Sequence, residues 1–193
     1  VDQWLTERLR QLLRRGVLLG ELGYRRYFRL QAVGPVLYLG QGAHRGPCRA
    51  LADGTSLKSG DPLGILHFNN ARIADLHRPH ANPGFAFARL LWRSLRILAQ
   101  RAQSDPVLRQ VVAFRGVTWI PPHMQRVGFE VEPLPDGLRT RWLQWHFRLL
   151  LYVFAPEINP GTARRLRPYV FWLTRRQLIR HFAVEEPSGH EPS

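Results

Sequence analysis

The chain has 193 residues, 45% of them hydrophobic, which suits one globular domain with a substantial core and excludes a disordered or low-complexity protein. Its 28 basic residues stand against 14 acidic ones, a formal charge of +14 that points to an anionic partner or simply to arginine-rich coding, since Lys58 is the only lysine. Cys48 is the only cysteine, so one chain can build neither a disulfide nor a thiolate metal cluster. The best apolar candidate for a membrane span, residues 143–154, is short and carries His146 and Arg148.

The chain opens on Val1 and has its only methionine at Met124, as expected of a piece of a longer protein. Asp2 can cap a first helix over residues 2–15, with Leu5, Leu9, Leu12 and Leu13 on one face and Gly16 placed to end it. From Gly34 the pattern changes to short strands, PVLYLG and PCRAL, with turns at Asp53-Gly54 and at Ser59-Gly60-Asp61, and a third strand in LGILHF. The prolines of HRPHANPG, residues 77–84, predict a loop. FAFARLLWRSLRILAQRAQ then predicts an amphipathic helix that ends at Asp105-Pro106.

Further along, VVAFRGVTWI predicts a buried strand pair or bent strand, residues 121–127 a turn or short helix, and GFEVEPL another strand. A second helix, expected to be largely buried, runs over residues 138–154. RPYVFWL reads as a last strand, and Thr174 and Gln177 have the capping-box spacing that starts a terminal helix. The expected fold is α/β or α+β. A small mixed or antiparallel sheet with hairpins is packed by two long amphipathic helices and short terminal helices, in one domain over residues 1–183. Residues 184–193 read as a disordered polar tail.

Period two places Leu63, Ile65, His67 and Asn69 on one face of the third strand, with apolar residues on both faces, so that strand is expected to be central. His67 there could act as a general base with Asn69 orienting a polar ligand, or His67 could be a satisfied core residue with Asn69 in the turn that follows. Asp75, His77 and His80 have donors for a metal, with His44 or His123 as added ligands. The proline-rich loop lacks the helical spacing that would favour one, and no cofactor is expected. Glu130 and Glu132 share a strand face and would form a glycosidase pair only inside a cleft.

Arginine is interleaved with aromatics in RRYFR, around Arg25 and Arg26, and in the helix carrying Arg89, Trp92, Arg93 and Arg96. That composition suits a phosphate-binding and stacking surface, or a helix lying on an anionic membrane.

Three stretches, DGTSLKSGDPLGILHFNN, GVTWIPPHMQRVGFEVEPLP and YVFWLTRRQLIRHF, resemble in order the YkoP-like domain, a bacterial family, and the resemblance covers most of residues 34–182. It implies a protein that stands alone or follows a NodB-type polysaccharide deacetylase domain, a hydrolase of C–N bonds, and hence a polysaccharide or cell-envelope setting. It supplies no catalytic residues. The deacetylase's own T-F-D-D-G and H-S/T-x-x-H/D motifs are absent from this sequence, where HRPH matches only the histidine spacing. The expected function is an accessory domain without catalysis of its own. It would hold an envelope glycan or anionic polymer through Arg89, Arg93, Arg96, Trp92, Arg25 and Arg26, with an upstream catalytic domain in the same chain. The alternatives are a hydrolase with a site near His67 and a basic nucleic-acid-binding module.

Overall fold

A computed structural model describes residues 2–70, 72, 83–119, 125, 128–154 and 167–183. In chain order the elements are α1 (Asp2–Tyr27), β1 (Gln31–Val33), β2 (Leu37–Ala43), β3 (Arg49–Ala50), β4 (Ser56–Leu57) and β5 (Pro62–Phe68). There follow α2 (Pro83–Ser104), α3 (Pro106–Gln110), β6 (Ala113–Thr118), β7 (Glu130–Pro133), α4 (Leu138–Phe154), β8 (Tyr169–Thr174) and α5 (Arg175–Phe182). The fold is the expected mixed α+β class. Six strands form a sheet in the order β1-β2-β5-β6-β8-β7, and β3 and β4 form a hairpin of their own. Within the sheet only β5 and β6 run parallel. A parallel pair needs a long crossover, and α2 with α3 lies on it.

β5 has two neighbours on each side of the sheet or more, which is why both its faces are apolar. One face carries Leu66 with Leu37, Leu39, Phe114, Phe171 and Leu173. It packs against Leu91, Leu95, Leu98 and Ala102 of α2 and Leu178 and Phe182 of α5. The other face carries Ile65 and His67, with Tyr38, Arg115 and Trp172 on the strands alongside. Part of it is closed by the β3–β4 hairpin, whose Leu51 and Leu57 bury Leu63, Ala113, Val170 and Trp172. The remainder lies under α1 and α4.

Several local expectations hold for the reasons that suggested them. Asp105 stops α2 and caps α3, its carboxylate accepting from the N–H of Val107 at 2.8 Å and of Leu108 at 3.4 Å. The Thr174 and Gln177 capping box starts α5. Gly54, at φ of +82°, turns the β3–β4 hairpin, and Gly60, at +95°, turns the chain from β4 into β5, which pairs with β2 and not with β4, so the second expected turn is no hairpin.

Other expectations are corrected. α1 does not end at Gly16 but runs on to Tyr27 through three glycines, because a single glycine costs a helix only about 1 kcal/mol where nothing else turns the chain. α4 is not largely buried: only Thr140, Leu150, Leu151 and Val153 are, while Trp142 and Trp145 are exposed. Within VVAFRGVTWI a single strand forms, Ala113–Thr118, and PCRAL yields only the two residues of β3. Residues 77–82, most of 121–127, and the tail at 184–193 lie outside the described residues.

The first face is tightly packed at Gly116 in mid-sheet, where an added Cβ would run into the Phe171 ring and lie 2.9 Å from the Leu66 carbonyl oxygen. Because one of these atoms is backbone, relief requires the strands to shift. Gly116→Ala is expected to lower stability by about 1–3 kcal/mol in urea unfolding, with the slope unchanged.

Candidate functional site

α1 and α4 lie antiparallel across the second sheet face. Arg10 and Arg14 of α1 stand over the rings of Tyr152 and Phe154 at 5.5 and 5.7 Å, and at the other end Tyr24 feels the charge of Arg139. The helices do not settle onto the strands. Between them and the sheet is a cavity of about 990 Å³. Leu13, Gly16, Val17 and Gly20 line it from α1, with Leu143, Phe147 and Leu150 from α4 and Ile65 and Val117 from the sheet. Gly16 and Gly20 leave room here, since an added Cβ at either would meet nothing within 4 Å.

Several polar groups stand among these apolar walls. His67 meets Tyr24 edge to face at 5.2 Å, and burial holds its pKa below the usual 6.5. Glu21 lies in the same cavity with neither carboxylate oxygen in a formed hydrogen bond. Burial raises its pKa above the usual 4.5, although Asn70 approaches it and Arg25 lies one helical turn on. Arg25 lies over the Tyr38 ring at 3.9 Å. His146, stacked on Trp142 at 5.4 Å, is also pushed toward its neutral form by burial.

Arg115 is the cation of the cavity floor. It stands on the cavity floor in mid-sheet, and its Nε is buried without a hydrogen-bond partner. Its guanidinium stands over the Trp172 ring at 5.2 Å. Burial, then the like charge of Arg139, push its pKa down.

Glu132 favours the charge of Arg115, but its hydrogen bonds go elsewhere. Arg49 donates to Glu132 through Nη1 and to Glu130 through Nη2, both at 2.7 Å, and its own pKa rises because these bonds outweigh burial. Glu130 also accepts from the Ala52 N–H at 2.9 Å. Glu130 and Glu132 are thus a clamp for the β3–β4 hairpin, not an open carboxylate pair. Asp53 fastens the same hairpin to α5. Burial opposes its ionisation, but hydrogen bonds from Thr174 and Thr55 and the charge of Arg176 prevail and keep its pKa low.

The residues singled out from sequence are therefore dispersed. His67 and Arg25 line the cavity. Asn69 does not join them: its N–H donates to Val36 O at 2.9 Å, and its Oδ1 accepts from the Arg72 N–H at 3.0 Å, as in a turn. Arg26 is exposed on α1. Arg89, Arg93 and Arg96 are exposed on α2, across the sheet from the cavity, where Trp92 covers Phe182 at 4.7 Å. Asp75, His77, His80 and His123 lie outside the described residues, and His44 Nε2–H is used by Pro47 O at 2.9 Å. Among the described residues, no three His, Cys, Asp or Glu side chains are grouped to hold a metal ion.

Sequence reasoning missed Glu21 and Arg115, though each left a signal. Arg115 interrupts the apolar alternation of Ala113 and Val117, and Glu21 is the only acid in VLLGELGY.

The YkoP domain model matches residues 10–182, most of this chain and all of the cavity-forming elements from mid-α1 to α5. The chain belongs to the YkoP domain family. No curated protein and no solved structure gave a match. In this YkoP domain the site must therefore be read from its own chemistry.

That chemistry predicts a pH signature. Glu21 has a raised folded pKa, so its ionisation at neutral pH costs stability, and the cost disappears once the pH falls below 4.5. Glu21→Gln should raise Tm at neutral pH, with the gain fading as the pH drops through the raised value toward 4.5. His67 has the opposite sign: its neutral form contributes stability above pH 6.5 that is lost as the pH falls through its lowered folded value. Thermal melts of wild type, Glu21→Gln and His67→Gln over that range test both directions.

Proposed function

We propose that this YkoP domain is a binding module without catalysis of its own, and that its cavity takes the hydrophobic part of an anionic amphiphile. The observation that carries this reading is half-buried Arg115, whose Nε has no hydrogen-bond partner, on the floor of a largely apolar cavity of about 990 Å³. That volume is at the upper end for small-molecule sites, and apolar walls with a few polar groups are their usual lining. An acyl or isoprenoid chain fits the walls. A carboxylate or phosphate head would give Arg115 the bidentate partner it lacks, with Arg139 adding charge.

The expected envelope glycan or anionic polymer enters this reading as the head group of such an amphiphile. Exposed Arg89, Arg93 and Arg96 are set apart from the cavity by the sheet. Association with a deacetylase domain in the same chain is part of the proposal, as the setting in which a lipid-borne glycan would be met.

A second reading, a hydrolase using His67, is favoured by one feature: His67 and the Glu21 carboxyl line the same cavity, and burial holds both toward their neutral forms. Against it, no hydrogen bond joins His67 to the Glu21 carboxyl. Loss of ester hydrolysis in His67→Ala, with ligand binding kept, would support that reading.

The binding proposal is tested with the full chain by displacement of a fluorescent fatty-acid probe. Palmitate should displace it better than hexadecanol. Arg115→Leu should weaken palmitate by about tenfold or more, the scale of a charge-assisted hydrogen bond, and leave the alcohol unchanged. If the probe does not bind, or both compounds compete equally in wild type and variant, the proposal fails.

A further inference from the structure

The two helices over the cavity carry the same unexplained pattern on their outer sides. In α1, exposed Leu5, Leu9, Leu12 and Leu19 stand at i, i+4, i+7 and i+14, with exposed Arg8 and Arg15 at i+3 and i+10. In α4, exposed Leu138, Trp142, Trp145 and Tyr152 stand at the same offsets, with exposed Arg141 and Arg148 at i+3 and i+10. On a helix these positions form one apolar stripe edged on one side by arginines. Leu12 is 63% and Trp142 59% exposed, yet both also line the cavity, so the stripes run along its rim.

From this we infer that the α1–α4 surface docks onto an anionic bilayer, with its leucines and tryptophans in the headgroup and acyl boundary and its arginines at the phosphates. The charge pattern selects this occupant. α4 has three arginines and no acid, and α1 has six arginines against three acids, two of its arginines edging the exposed stripe. A protein partner would have to match two antiparallel stripes with acids along one edge of each. A fluid anionic surface does so without register. Arginine extends its charge toward phosphates while its stem covers apolar surface, and tryptophan favours the interface. No helix among the described residues is long and apolar enough to cross a membrane, so the helices lie on the surface. The inference stands on the outer faces of the helices. Where the cavity reading also holds, it brings the cavity rim to the lipid that would fill it.

The test is co-sedimentation of the full chain with vesicles of phosphatidylcholine alone and of equal parts phosphatidylcholine and phosphatidylglycerol. Binding is expected only to the mixed vesicles and should weaken as salt rises. Arg15→Gln with Arg141→Gln should weaken it roughly thirtyfold, the scale of two basic residues near an anionic surface. Leu9→Gln with Trp145→Gln should weaken it to a similar degree, since both sites are exposed and tolerate polar replacement. The control pair Arg93→Gln with Arg96→Gln removes the same charge from α2 and should leave binding unchanged.

Equal loss in the control pair overturns the inference in favour of diffuse charge attraction. A dimer in sedimentation velocity that Trp145→Gln dissociates overturns it in favour of a second copy of the chain. Arg115→Leu should keep vesicle binding. A chain that binds palmitate but no vesicles therefore sinks this inference and leaves the cavity reading standing.

Discussion

The parallel pairing of β5 with β6 in mid-sheet is the constraint on which the other features depend. Strands in that position expose no face to water, so the chain must supply two apolar covers for one sheet. The first is closely packed: Phe114 and Phe171 fill the space that Gly64 and Gly116 leave, and α2 and α5 seal it with buried leucines. Little of that side is free to serve as a site. Arginines on α2 are then what the outer face of an amphipathic helix requires.

The second cover is made of two unlike parts. The β3–β4 hairpin is pinned by Arg49 between Glu130 and Glu132 and by Asp53 at the head of α5, with Trp172 beneath. These bonds occupy Glu130 and Glu132, so that Arg115 feels the charge of Glu132 without a hydrogen bond to it. α1 and α4 form the other part, and they bridge above the strands without filling the space under them. A half-buried guanidinium with an unpartnered Nε and an apolar surface left uncovered beside it both carry a cost. A ligand that supplies an anion and a hydrocarbon chain would relieve both costs together, and this is the physical basis of the binding proposal.

The same geometry accounts for what the outer surface shows. Had α1 and α4 sunk onto the sheet, their apolar residues would be shared between fewer exposed positions. Held away by the cavity, each helix has an inner apolar stripe toward the space and an outer one at its rim, and the outer one is edged by arginines. An anionic bilayer matches that surface in both hydrophobicity and charge.

Much of the fold was legible in the sequence because its signals are local. Asp105-Pro106, the Thr174 and Gln177 box, the turn glycines at 54 and 60, and the two-faced apolarity of LGILHF each act within a few residues. Gly16 misled because a glycine ends a helix only where the chain has reason to turn, and that reason is tertiary. The site was legible only in fragments. His67 and Arg25 were visible as unusual residues, but their separation from Asn69, Arg89 and Arg93 depends on which side of the sheet each element packs. Strand alternation showed that His67 shares a face with Ile65. Only the folded chain decided that α1 and α4 would stand off that face, because a void is set by the distance between packed elements and no single residue encodes it.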